Sequence, residues 1–230
     1  MAERSVLVTG GTGGLGGPVV TAFVEAGWRV VVPVRSGPTG ADPAGRAVVR
    51  VTADLTDPDA VERAVAVAAG EAAAPLRAVV NLVGGYGAGG RVHETPVAEF
   101  DRMLTLNLRP TYLVTHSALP HLVAAGGGAV VCVSSRAALA PFVGAAGYVT
   151  AKAAVLAFAA AVAVEYRACG IRCNTVVPGV IDTPGNREAQ PDADRSRWVT
   201  PGEIAPVIRF LASDESAPTS GAVVPVYGRG

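Results

Sequence analysis

Short valine-rich runs alternate along this chain with longer alanine-rich runs. The short runs predict seven strands: Ser5–Thr9, Arg29–Val34, Ala47–Val51, Ala78–Val83, Gly128–Ser134, Ile171–Val177 and Ala222–Val226. Most are apolar at nearly every position, as strands buried on both faces must be. The longer runs predict helices over Gly14–Ala26, Pro58–Glu71, Val97–Ala125, Gly147–Cys169 and Pro201–Ala212. Pro58 and Pro201 suit first helical turns, with Asp57 and Thr200 before them as N-caps. Pro110 and Pro120 are expected to kink or divide the long helix. Regular strand–helix alternation predicts a single α/β domain of the Rossmann type over residues 1–230. Its doubly wound, parallel, seven-stranded sheet carries helices on both faces. Two stretches break the pattern. Ser36–Gly45 stands as an irregular segment where a helix is due, and the polar stretch Asp182–Trp198 reads as irregular too.

Half of the 230 residues are hydrophobic, enough for a large core. Formal net charge is zero, and neither a basic stripe nor an acidic tail is present, so nucleic acid is not an expected partner. Cys132, Cys169 and Cys173 are odd in number and lack metal-ligand spacing. Reduced thiols and no metal are expected. A strand pattern begins at Ser5 with no leader before it, and the apolar run Ala153–Val164 is shorter than a bilayer requires. A cytoplasmic location without a membrane partner is the expectation.

Candidate chemistry begins at Thr9-Gly10-Gly11-Thr12-Gly13-Gly14-Leu15-Gly16, between the first strand and the first helix. Glycines there let the backbone turn and let a pyrophosphate approach the helix N-terminus. The plain alternative is a tight strand-to-helix turn. Past the second strand an NAD enzyme would place a carboxylate on the ribose hydroxyls. This chain has Val34-Arg35-Ser36, and Arg35 can pair with a 2′-phosphate, which favours NADP over NAD. Gly13 offers no second basic ligand, and Arg46 is a possible substitute.

The chain has one lysine against 18 arginines. Lys152 lies four residues after Tyr148, so both side chains can share one helix face. A free phenol titrates near ~10, and moving it to about 7 takes roughly 4 kcal/mol. One positive charge about 4 Å away supplies roughly that at an effective dielectric near 20. Tyr148 therefore reads as a proton donor and acceptor whose pKa Lys152 lowers. The plain alternative for Lys152 is a leftover surface lysine.

With the glycine loop and Tyr-x-x-x-Lys in place, nearly the whole chain resembles the short-chain dehydrogenase/reductase family. Thr9, Gly10, Gly14 and Gly16 match its TGxxxGxG, and Asp54 in Ala53-Asp54-Leu55 its acidic residue after the third strand. Asn81-Leu82-Val83-Gly84 matches its NNAG with two changes. Ser135 stands at the family's serine spacing before Tyr148, Asn107 at its asparagine, and Pro178-Gly179 with Ile181 and Thr183 at its nicotinamide segment. The resemblance implies four catalytic residues: Asn107, Ser135, Tyr148 and Lys152. It implies dinucleotide contacts from Thr9, Gly10, Thr12, Gly14, Leu15, Gly16, Asp54, Leu55, Asn81, Val83, Gly84, Tyr148, Lys152, Pro178, Gly179, Ile181 and Thr183, to which Arg35 is added from its own position. In these roles Tyr148 is the acid for carbonyl reduction, Ser135 polarises the carbonyl, Lys152 holds the nicotinamide ribose and Asn107 binds a relay water. A homodimer or homotetramer, packed through Gly147–Cys169 and the preceding long helix, is likewise implied.

Strand alternation sends neighbouring Ser134 and Ser135 to opposite faces, so only one serves. The plain role for Asn107 is a helix cap or kink. His93, His116 and His121 read as surface or packing residues, and Asp192, Asp194, Arg195 and Arg197 as a solvated lid face that Trp198 packs down. The lid is expected around residues 182–199. That stretch also resembles the same region of dihydropteridine reductases, which favour NADH and lack the serine. The leading expectation is an NADPH-dependent reductase of a ketone or 3-oxoacyl-type small molecule. Reduction of a small heterocycle, or a non-catalytic NADP sensor, are the alternatives.

Overall fold

The fully apolar runs form the middle of a sheet. In the computed structural model, which describes residues 2–37, 39–41 and 47–229, the strands are β1 (Ser5–Thr9), β2 (Arg29–Val34), β3 (Gly40–Ala41), β4 (Val48–Thr52), β5 (Leu76–Asn81), β6 (Gly128–Val133), β7 (Ile171–Pro178) and β8 (Val223–Val226). Their order across the sheet is β3-β4-β2-β1-β5-β6-β7-β8. Seven strands run parallel, and β3 alone pairs antiparallel, on β4.

The helices are α1 (Gly16–Glu25), α2 (Pro58–Ala69), α3 (Val97–Asn107), α4 (Arg109–Ala124), α5 (Ala146–Glu165), α6 (Pro184–Ala189) and α7 (Pro201–Ala212). Side-chain alternation along each strand divides the core in two. Leu7, Val31, Val79, Val130 and Cys173 meet α2, α4 and α5 on one face. Val6, Val8, Val30, Val80 and Val176 meet α1 and α7 on the other. Winding reverses between β1 and β5, which opens a crevice at their carboxyl ends, where ligands bind in such sheets.

Asp57 caps α2, accepting from the Asp59 N–H at 3.1 Å. The Glu203 carboxylate accepts from both the N–H and the hydroxyl of Thr200 at the start of α7, each at 2.8 Å. The long predicted helix divides at Leu108. Pro110 stands in the first turn of α4, where its missing N–H costs nothing, while Pro120 lies inside α4 without interrupting it.

Two elements fall where irregular chain was expected. β3 has two residues and exists only by pairing with the sheet edge, so it leaves no local periodicity. The six-residue helix α6 lies within the polar stretch. Pro184 opens it, and Thr183 accepts from the Asn186 N–H at 3.3 Å. The helix over Lys152 also exceeds the apolar run Ala153–Val164. All 20 residues of α5 are long and apolar enough to cross one by length and composition. In the fold α5 packs on the sheet, and Ala151, Lys152, Val155, Ala159 and Val162 form its buried stripe.

Candidate active site

The turn after β1 is built from glycine for steric reasons. Gly10 sits at φ 67°, a region that disfavours side chains. A methyl group on Gly16 would run into the Gly10 carbonyl and the Gly11 backbone. Gly16→Ala is therefore expected to destabilise the fold by about 1–3 kcal/mol, read as a lower denaturation midpoint. Thr12, Gly13 and Gly14 are exposed, no side chain caps α1, and its first turn holds no acid. Leu15 occupies the cap position. An open helix N-terminus above bare glycine backbone fits a pyrophosphate. Thr9 fastens this turn to its neighbour: its hydroxyl accepts from the Leu82 N–H at 3.0 Å and lies 3.4 Å from the Val83 nitrogen.

Arg35 is exposed at the end of β2. Asp54, past the end of β4, accepts from the Thr56 N–H at 2.9 Å and the Thr56 hydroxyl at 2.8 Å. Those two bonds, and then the Arg35 charge, hold its carboxyl below the usual range. Arg35 and Asp54 thus lie near one another past the carboxyl ends of β2 and β4, and Leu55 after Asp54 is buried. Arg46 lies outside the described residues.

Asn81 ends β5 in the core. Its amide donates to Thr115 Oγ1 at 3.0 Å, and its Oδ1 is buried without a partner among the described residues. The chain then turns through Val83 and Gly84. A methyl on Gly84 would stand 2.6 Å from Asn107 Oδ1 and 3.0 Å from Lys152 Nζ, so both polar groups flank one point of backbone. The Asn107 amide clasps Gly85, accepting from its N–H and donating to its carbonyl, each at 3.0 Å. It also donates to the Met103 carbonyl at 3.1 Å. Asn107 closes α3 at the division from α4, so its structural role accompanies its place beside Lys152.

The two serines separate as alternation requires. Ser134 is buried and donates to the Lys152 carbonyl at 2.8 Å, pinning α5 to β6. Ser135 is half-buried beside Tyr148, and its hydroxyl accepts from the Ala137 N–H at 3.2 Å. Lys152 is 6% exposed and donates to the Val133 carbonyl at 3.1 Å. Burial lowers its pKa to about 8, with nearby Cys132 opposing the shift.

The expected lowering of the Tyr148 phenol by Lys152 is not what this geometry produces. Burial pushes the Tyr148 pKa up, a hydrogen bond with Ser135 pulls against it, and the Tyr86 phenol adds to the rise. The reason is direction: the ammonium is turned to the Val133 carbonyl and the Gly84 backbone. Tyr148 and Lys152 still share the face of α5 turned to residues 84–86, as their spacing predicts.

At the end of β7, Gly179 packs on the backbone of Tyr227. Ile181 bridges Val199, so the stretch between leaves and rejoins the sheet edge at one place. Thr183 lies on Gly14, where an added methyl would meet it at 2.8 Å, which brings this stretch over the glycine turn. Arg187 grips Asp182 with bonds of 2.6 and 2.7 Å. His93, His116 and His121 are all exposed and stand apart from this cluster.

The fold adds residues that the sequence reading passed over. The Tyr86 ring meets Tyr148 edge-on at 5.3 Å, and Phe142 stacks on Tyr86 at 6.5 Å. Arg136, next to Ser135, lies over the Tyr227 ring. Adjacency to Gly84 and Ser135 was the only signal in the sequence for Tyr86 and Arg136.

A glycine turn at the switch point, with a buried lysine and a tyrosine across the crevice, defines an oxidoreductase that uses a nicotinamide dinucleotide. The family model for short chain dehydrogenases matches residues 4–194. The chain is 34% identical to 2-(R)-hydroxypropyl-CoM dehydrogenase of Xanthobacter autotrophicus, over 98% of each. It is 30% identical to the 3-oxoacyl-[acyl-carrier-protein] reductase MabA of Mycobacterium tuberculosis, over 98% of this chain and 92% of that one. The solved structure of ElxO with NADP bound superposes with a TM-score of 0.89, at 25% identity and over 97% of both chains. The protein belongs to the short-chain dehydrogenase family, and it is an NAD(P)-dependent oxidoreductase acting on alcohols or ketones.

Proposed function

We propose that this enzyme is an NADPH-dependent reductase of a ketone or 3-oxoacyl-type small molecule, with Asn107, Ser135, Tyr148 and Lys152 as its working groups. The observation that carries this reading is the grouping of side chains at the crevice: Tyr148 beside Ser135, and Lys152 beside Asn107 at Gly84. A phenol keeps its proton at neutral pH, so Tyr148 has one to give. When bound, the reduced dinucleotide supplies a hydride, two electrons and one proton, to the carbonyl carbon and is left oxidised. Ser135 donates to the carbonyl oxygen and draws charge toward it. Tyr148 transfers its proton to that oxygen as the C–O double bond becomes a single bond, so ketone, hydride and proton balance as alcohol. Lys152, beside Asn107 at Gly84, holds the nicotinamide ribose, and a water on Asn107 returns the proton to Tyr148 by way of Lys152.

The cradle for the dinucleotide is Thr9, Gly10, Thr12, Gly14, Leu15 and Gly16 for the phosphates. Asp54 and Leu55 take the adenine, Asn81, Val83 and Gly84 the central span, and Pro178, Gly179, Ile181 and Thr183 the nicotinamide. Preference for NADPH rests on Arg35 at the end of β2, with no carboxylate in Val34-Arg35-Ser36. A lid over residues 182–199 closes the site, supported by Thr183 on Gly14. Pairing of subunits through α4 and α5 is supported by exposed Tyr112, Val123 and Val164 on those helices.

The test is a panel of ketones, acyl thioesters and quinonoid pterins, each assayed with NADPH and with NADH. Turnover of carbonyls with NADPH preferred is the expected outcome. Arg35→Ala should raise the NADPH KM about tenfold through loss of one charge-assisted contact, and leave NADH unaffected. Better turnover with NADH, together with a neutral Arg35→Ala, would remove the cofactor assignment.

A further inference from the structure

Several arginines of this protein hold a protein acceptor, and others stand in solvent. Arg102, Arg187 and Arg209 grip carboxylates. Arg29, Arg77, Arg109 and Arg172 bond backbone carbonyls. Arg136 does neither: among the described residues its guanidinium has no carboxylate and no hydrogen-bond acceptor. It is nevertheless held in place, 5.0 Å above the Tyr227 ring centroid. An aromatic face anchors the cation but leaves the donors at the guanidinium edge unmatched.

The anchor fixes where that charge sits. Tyr227 follows β8, and its backbone lies against Gly179 at the end of β7. The next residue, Gly228, packs on the carbonyls of Arg197 and Trp198, where the 182–199 stretch returns to the sheet. Arg136 itself follows Ser135 directly and opens a short 3-10 turn, Arg136–Ala138. The backbone of Arg136 thus adjoins Ser135, while its exposed guanidinium is seated on Tyr227, next to the residues that receive the foot of the lid.

The surface beside Tyr148 is apolar. Tyr86 and Phe142, stacked together beside Tyr148, are 59% and 48% exposed, and Leu139 and Val143 extend that surface outward. A backbone bond of 2.8 Å from Gly89 to Gly144 ties the two loops together. Two features therefore border the acid–donor pair: aromatic surface beside Tyr148, and a cation on the residue after Ser135, seated on Tyr227.

We infer that the substrate is a ketone with an apolar, ring-like body and an anionic substituent a few atoms from the carbonyl, received by Arg136 on its Tyr227 platform. This rests on the carbonyl-reductase reading above and adds to it the charge and shape of the substrate. A guanidinium fork matches a carboxylate in two-point geometry, so Arg136 is a specificity residue and takes no part in proton or hydride transfer.

The probes are a cyclohexanone bearing a ring carboxylate and its methyl ester, reduced under identical conditions. The wild-type enzyme is expected to favour the acid over the ester by about tenfold or more in kcat/KM. Arg136→Leu should collapse that ratio to about one through a higher KM for the acid, and Arg136→Lys should restore part of it. Because the readout is a ratio, any unfolded fraction cancels. Tyr227→Leu, which frees the guanidinium, should lower the ratio as well. Equal turnover of acid and ester by the wild type would overturn the inference and leave the reductase reading intact. So would a ratio that survives Arg136→Leu. Absence of turnover with every carbonyl of the wider panel, with either nucleotide, would overturn the reductase reading itself.

Discussion

Tyr148→Phe is expected to lower kcat by about 10²–10⁴ while nucleotide binding persists, because one positioned proton donor contributes that much. Phenylalanine keeps the ring that meets Tyr86 edge-on and removes only the hydroxyl facing Ser135. Stability should therefore change little, and the denaturation midpoint checks this alongside single-turnover kinetics. Direction of reaction adds a second readout. Burial raises the Tyr148 pKa, so the phenol stays loaded with its proton through neutral pH. Reduction by the wild type should be flat across neutral pH and fall only in the alkaline range, while alcohol oxidation rises with pH. A phenylalanine variant with wild-type turnover would remove Tyr148 from the mechanism and favour a non-catalytic nucleotide sensor.

Lys152→Met should abolish most activity and stabilise the protein. Loss of the ribose-binding ammonium is expected to lower kcat/KM by about 10² or more. The stability argument is independent of catalysis. Burial lowers the lysine from 10.5 to about 8 in the folded state. At about 1.4 kcal/mol per pH unit, keeping it charged in the fold at neutral pH costs about 3 kcal/mol. Methionine escapes that cost but leaves the Val133 carbonyl without its donor, worth about 1 kcal/mol. A net gain of about 2 kcal/mol is expected at pH 7. The unfolded chain binds the proton up to 10.5 and the folded one releases it above about 8. Wild-type stability therefore rises between those values, and the advantage of the variant fades across the same window. Chemical denaturation at pH 7 and pH 10 measures both.

Much of this site is local in sequence, and local features survive translation into structure. The glycine turn needs a strand before it, a helix after it and bare backbone at Gly10 and Gly16, all of which Thr9–Gly16 states outright. Tyr148 and Lys152 need only one helical turn between them. Ser134 and Ser135 need only strand alternation, and the bond from Ser134 to the Lys152 carbonyl settles which faces inward. Asn107 is different: its position was legible, but the clasp on Gly85 joins residues 22 apart and leaves no periodic trace.

Other features were illegible because they depend on contacts that no local pattern encodes. β3 forms only because β4 presents an open edge. Cys132 and Cys173 were legible as buried thiols, but their approach to one another across β6 and β7 depends on strand register. Tyr86 and Phe142 come together where a glycine-to-glycine bond joins their loops, a contact with no local signature.

The order of apolar runs, the bare backbone after β1 and the tyrosine–lysine spacing were enough for a doubly wound sheet and its oxidoreductase class, since each follows from short-range geometry. Only the assembled chain decided where the lysine ammonium points, and hence that the Tyr148 pKa is raised and not lowered. It alone brought Arg136 over Tyr227, residues 91 positions apart. The physical reason is the same in both cases: burial and charge pairing are properties of an environment, and distant strands supply that environment when they come together at one edge of the sheet.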